Sequence, residues 1–229
     1  MKKYWTLIII LILAIAGFFI WWEINQQSVK NTKPKVTASA TSSPDYAAVP
    51  IISESPLVSS TPSQVLVAKY AEPVAEFKSR ITKKPFGIYI DPATSPVQPE
   101  RFGGYHNAVD VEYEDVVEDI LIYAIAEGVI VYSDIVSGYG GVFMIEFDIG
   151  GAKHTALYGH IRPLSLPAVG DKYTKGQQIA VLGTGYSSET DGERRHLHFA
   201  ILSDDRIDVR GYVQSEGELA GWIDPVILY

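Results

Sequence analysis

The chain divides by its pattern of apolar and polar positions into three textures. Trp5 to Trp22 is an uncharged run of 18 residues, behind Lys2 and Lys3. As a helix it would be about 27 Å long, enough to cross a bilayer. Trp5, Trp21 and Trp22 mark its two ends, where interfacial aromatic residues belong, and the leading lysines predict a cytoplasmic N-terminus. A cleaved signal peptide is the competing reading. Its apolar core is usually shorter, and Ala14 and Ala16 lie inside the run rather than after it, so an uncleaved anchor over residues 1–22 is expected. Residues 23–75 are rich in Ser, Thr, Pro, Lys and Ala and hold neither a 2 nor a 3.6 period, as a spacer would. Such a coil has a reach of roughly 40 Å. Gln64 to Tyr70 alone has strand character and reads as a short docked element.

From residue 76 to 229 short β-branched and aromatic runs alternate with glycine-containing turns, as in Gly128-Val-Ile-Val-Tyr132, Gly141-Val-Phe-Met-Ile-Glu-Phe147 and Gln178-Ile-Ala-Val-Leu182. Strands this short and evenly spaced predict an all-β domain, an antiparallel sandwich or barrel-like architecture. No long amphipathic helical pattern appears there. Roughly 150 residues suffice for one buried core.

Charge sharpens the picture. The net of −8 is uneven: residues 1–85 carry ten basic against five acidic side chains, and residues 86–229 nine against 22. An acidic main domain argues against binding a nucleic-acid backbone. The run Glu112 to Asp119 supplies part of that acidity, and a solvated face is its default explanation. The absence of cysteine removes disulfides, thiolate metal sites and a cysteine nucleophile.

Metal-type chemistry therefore falls to five histidines and the carboxylates. In Arg194-Arg-His-Leu-His-Phe-Ala-Ile201, His196 and His198 are two apart, so on a strand they share one face while Leu197 and Phe199 take the other. In isolation such a pair is more often two half-exposed strand residues. The rest of the chain changes that balance. His106 and Asp110 stand four apart behind Gly103-Gly104, in what reads as a loop leading into a strand. His160 directly follows the strand-like Thr155-Ala-Leu-Tyr158, and His154 looks like a loop-tip residue with no role. A catalytic zinc site takes three N/O ligands and keeps one position open. His106, Asp110 and His198 would supply the three, with His160 and His196 beside them as proton-handling groups.

Residues 79–201 resemble the LytM/lysostaphin-type zinc metallopeptidases, the bacterial peptidoglycan endopeptidases. The motifs occur in that family's order: Arg80-Ile-Thr-x-x-Pro-Phe-Gly87, His106-x-x-x-Asp110, Ala124-x-Ala-x-Gly-Val129, Thr155-x-x-Tyr-x-His160, Val169-Gly-x-x-Tyr-Thr-Lys-Gly-Gln-x-Ile179, Gly183-x-Gly185 and His196-Leu-His-Phe199. By position, the resemblance implies one zinc ion held by His106, Asp110 and His198, with His160 and His196 catalytic. It implies a β-sandwich, and hydrolysis of peptide bonds in stem peptides or cross-bridges of peptidoglycan. With the N-terminal helix it implies a single-pass membrane protein whose catalytic domain is extracytoplasmic. The H-E-x-x-H helix of the glutamate-base peptidases is absent.

Three positions depart from the family's pattern. Ala108 replaces the usual Gly. Ser187 to Arg195 is longer than the usual turn before H-x-H and is expected to form part of a groove wall. Ala200 stands where Glu is common. The alternative function is a non-catalytic module of the same type, which binds cell wall and activates a separate amidase; complete ligands weigh against it. Any regulatory partner is unspecified by the sequence.

Overall fold

The computed structural model describes residues 69–229. The expected anchor over 1–22 and nearly all of the linker over 23–75 lie outside the described residues. Among the described residues no helix is long and apolar enough to cross a membrane.

The described chain is built from short strands and 3-10 turns, in keeping with the all-β expectation. In order the strands are β1 (Tyr89–Ile90), β2 (Gly104–His106), β3 (Val109–Glu112), β4 (Leu121–Tyr123), β5 (Gly128–Val136), β6 (Gly140–Ile149), β7 (Ala152–Ile161), β8 (Lys172–Tyr173), β9 (Gln178–Val181), β10 (His196–Leu202), β11 (Tyr212–Val213) and β12 (Trp222–Ile223). They form three antiparallel sheets, open rather than closed into a barrel. The largest runs β12-β10-β7-β6-β5-β8, with β3 also paired to β10; β1-β2-β11 and β4-β9 make the smaller two.

Register sets what each face carries. Phe143 of β6 pairs with Tyr158 of β7, Tyr158 with Phe199 of β10, and Phe199 with Val109 of β3. One residue along, Val142 pairs with Gly159, Gly159 with His198, and His198 with Asp110. Successive side chains on a strand point to opposite faces. The first row therefore faces the main core, and the second faces the other way.

The core row is aromatic. Phe143 stacks on Tyr158 at 4.5 Å, Tyr158 meets Phe199 edge-on at 5.0 Å, and Phe77 meets Phe199 at 5.8 Å. Such pairs contribute about 0.5–1.5 kcal/mol each beyond the area they bury. Tyr70 and Val74 are buried in the same core. Nearby, the Ala71 amide donates to the Ile125 carbonyl at 2.8 Å, and the Tyr123 amide to the Pro73 carbonyl at 2.9 Å.

The opposite row needs a glycine. A Cβ on Gly159 would lie 2.6 Å from Cδ1 of Tyr139, so only a residue without a side chain lets that ring cover the strand beside His198.

Phe199 is fully buried beneath the histidine row. Phe199→Ala should cost about 3–5 kcal/mol of stability. Urea unfolding of the purified protein would measure it, and a loss under about 1 kcal/mol would contradict this account of the core.

Candidate metal centre

Asp110 is the second residue of β3, as the loop-into-strand reading expected, whereas His106 is not in the loop but ends β2, because Gly104–His106 pairs with β1 and β11. Antiparallel pairing then sets Asp110 opposite His198. His106 Nε2 lies 3.3 Å from Asp110 Oδ1 and 3.3 Å from His198 Nδ1, and His198 Nδ1 lies 3.1 Å from Asp110 Oδ1. Three potential ligand atoms thus form a nearly equilateral triangle, all of it buried.

This triangle fits a metal ion. Zinc bonds of about 2.0–2.1 Å put neighbouring donors of a tetrahedron about 3.3 Å apart. The protons point the same way. His106 Nδ1 lies 3.3 Å from the Pro85 carbonyl, which only accepts, so the proton sits on Nδ1 and Nε2 presents a lone pair. On His198, a proton at Nε2 has the Tyr139 hydroxyl oxygen 3.2 Å away to accept it. A single proton can serve only one edge of the triangle, whereas a cation serves all three corners.

His160 and His196 complete the cluster. His160 lies near the end of β7, where the register with β6 skips from Ile161 to Gly159. It is the extra residue of this bulge and has a φ of +62°, uncommon for a residue with a side chain. Its Nδ1–H donates to the Tyr139 carbonyl at 3.0 Å, and the Nδ1–H of His196 to the Arg194 carbonyl at 3.0 Å. Both Nε2 atoms are left as lone pairs. The two rings lie 4.2 Å apart, and His196 Nε2 is 3.5 Å from Asp110 Oδ2.

Burial sets the charges. It pushes His160 down to about 3, helped by His198, and lowers His196 well below the imidazole range despite Asp110. At neutral pH both rings are uncharged bases. Burial works against the charge of Asp110, but its neighbours outweigh it and hold the carboxyl well below its usual range; with His196 uncharged, the Arg194 guanidinium is the permanent cation among them.

A cavity of about 280 Å³ opens beside His160, His196 and His198, walled by Phe102, Tyr139 and Tyr212. Glu193 and Arg194 also line it, so the long segment before H-x-H does contribute a wall. Arg101 ties that wall down, donating to Glu193 Oε1 at 2.6 Å and to the Asp191 carbonyl at 2.9 Å.

Residues 104–209 match the profile of Peptidase family M23. The chain carries an M23 peptidase domain. The solved structures it resembles include LytU, at 23% identity over 64% of this chain and 81% of that one, TM-score 0.40. Lysostaphin matches at 26% identity, covering 51% of this chain and 44% of that one, TM-score 0.35. Csd3 of Helicobacter pylori matches at 23% identity, covering 64% of this chain but only 35% of that one, TM-score 0.41. No curated protein matches the chain.

Three features in and around this cluster escaped the sequence reading. His154 is not at a loop tip: it lies in β7, buried, with Nδ1 donating to the Leu202 carbonyl at 3.0 Å, and it takes no part in the cluster. Glu112 belongs to no solvated face: it is buried in β3 against Arg194. Tyr139 backs both His160 and His198. The Gly138-Tyr-Gly-Gly141 turn is the one signal that would have raised it, since chain reversal there points a side chain at the sheet end.

The lowered His160 makes acid destabilising. An unfolded imidazole takes up its proton near pH 6.5, while buried His160 resists until about 3. The unfolded state therefore binds more protons across that window. His160 contributes full stability above about pH 6.5, and that contribution is lost as pH falls toward 3. Metal-stripped His160→Gln should show a shallower decline of the urea midpoint between pH 7.5 and 4.5, by up to one proton equivalent. A slope equal to wild type would contradict a neutral His160.

Proposed function

We propose that the protein is a zinc metalloendopeptidase that hydrolyses peptide bonds in peptidoglycan stem peptides or cross-bridges. The observation that carries this reading is the buried triangle of His106 Nε2, Asp110 Oδ1 and His198 Nδ1 beside two neutral histidines, within an M23 domain. His106, Asp110 and His198 would hold one zinc ion. When bound, it supplies Lewis acidity, polarising the scissile carbonyl and making water a stronger acid.

The chain's own residues handle position and protons. His160 and His196 each offer an unprotonated Nε2 toward the cavity, because each commits Nδ1–H to a backbone carbonyl. Either Nε2 is placed to take a proton from attacking water and return it to the leaving amine. A protonated Nε2 would also stabilise the oxyanion formed at the carbonyl. Phe102, Tyr139 and Tyr212 give the cavity aromatic walls against which a substrate can pack.

In this reading residues 1–22 are a single-pass anchor, residues 23–75 a tether, and the peptidase domain works on the extracytoplasmic side, within reach of cell wall. A non-catalytic, amidase-activating module is disfavoured because the metal-ligating and proton-handling groups are complete.

The purified full chain should bind about one zinc ion and release soluble muropeptides from bacterial sacculi. Chelation, or His198→Ala, should abolish that release. Release that persists after complete zinc removal would reject the proposal, and stimulation of an added amidase without release would favour the non-catalytic module.

A further inference from the structure

Arg194 is the largest fully buried side chain in the described protein. It lies two residues before His196, in the segment whose length departs from the family pattern, and it meets the two acidic residues of β3. Its Nε donates to Glu112 Oε2 at 2.9 Å and its Nη2 to Glu112 Oε1 at 2.8 Å, a two-pronged grip. The same Nη2 donates to Asp110 Oδ2 at 2.7 Å. Asp110 and Glu112 are two apart on one strand and share a face. The three residues form a buried chain, carboxylate–guanidinium–carboxylate, ending on a candidate ligand.

The two oxygens of Asp110 are thereby separated in role. Oδ1 faces His106 and His198, and Oδ2 is occupied by Arg194. We propose that Arg194 is a positioning residue for the metal centre: seated on Glu112, its guanidinium holds Oδ2 of Asp110 aside and presents Oδ1 alone to the ion. The proposal rests on the zinc reading above.

A different account predicts the opposite sign. If Arg194 acted only through its charge, removing a cation from beside the ion would tighten zinc binding. If it positions Asp110, removing it loosens binding, because outer-shell partners of metal ligands are typically responsible for about 10–100-fold in affinity. Lysine separates the two further. It keeps the charge but lacks the planar fork that grips Glu112 and Asp110 together.

Zinc affinity of the full chain, purified in detergent, can be measured by competition with a chromophoric chelator alongside thermal unfolding. Arg194→Gln and Arg194→Lys should both bind zinc about 10–100-fold more weakly than wild type. Cobalt-loaded Arg194→Gln should show a weaker visible absorption band, since a freed Oδ2 adds a donor. Tighter binding by Arg194→Gln, or wild-type affinity in Arg194→Lys, would overturn the positioning role. Should both Arg194 variants fail to fold, Glu112→Gln decides. It leaves Asp110 and the guanidinium in place but weakens the seat, so about tenfold weaker binding supports the proposal and wild-type affinity overturns it. A wild-type chain that binds no zinc overturns this proposal and the zinc reading together. Normal wild-type binding with unaffected variants overturns this one alone.

Discussion

The pairing of β10 with β3 on one side and β7 on the other is the constraint on which the site depends. It places Asp110 and Gly159 on either side of His198, and it does so by register alone. A slip of one residue would bring Leu197 into the histidine row and turn both histidines of the H-x-H into the aromatic core. That core resists the slip. Phe199 is wedged between Tyr158 and Phe77, and moving it to the other face would force an aromatic ring into the buried histidine row and leave a void behind it. Packing on one face of the strand therefore fixes chemistry on the other.

Charge balance is the second constraint, and it centres on Asp110. A buried carboxylate is costly unless paired. Asp110 has Arg194 on Oδ2 and histidine nitrogens within 3.3 Å of Oδ1. Glu112 is pushed upward by burial and by Asp110, and Arg194 counters this from between the two. Elsewhere on the cavity rim the buried Lys84–Glu100 pair repeats the rule, with Lys84 also donating to the Tyr212 hydroxyl at 2.9 Å. Burial alone would raise Glu100, and Lys84 outweighs it, holding the carboxyl below its usual range.

Much of this was legible in the sequence, where a short-range rule governs it. Period-2 alternation placed His196 and His198 on one face and Leu197 and Phe199 on the other, and the strands bear this out. Glycine punctuation gave the all-β class. What escaped depends on pairings between strands, which the local pattern does not encode. Glu112 looked like the start of a solvated acidic run because Arg194, its partner, is 82 residues away. His154 looked like a loop tip because the hairpin glycines Gly150 and Gly151 stand beside it, although β7 starts at Ala152. The bulge that turns His160 toward the site comes from a register mismatch between two strands, a property of neither strand alone.

The backbone also selects the protonation of the site. His106, His160 and His196 each place Nδ1 against a carbonyl, from Pro85, Tyr139 and Arg194 respectively. Carbonyls only accept, so each imidazole is forced into the tautomer that leaves Nε2 bare. Side-chain partners could rotate or titrate away, whereas a carbonyl fixed in the fold does neither. A cluster of bare nitrogens this close is unfavourable without a cation, and burial disfavours relief by protonation at His160, His196 and His198. The domain is thus arranged so that a metal ion relieves the mutual repulsion of donors that the fold has already brought together.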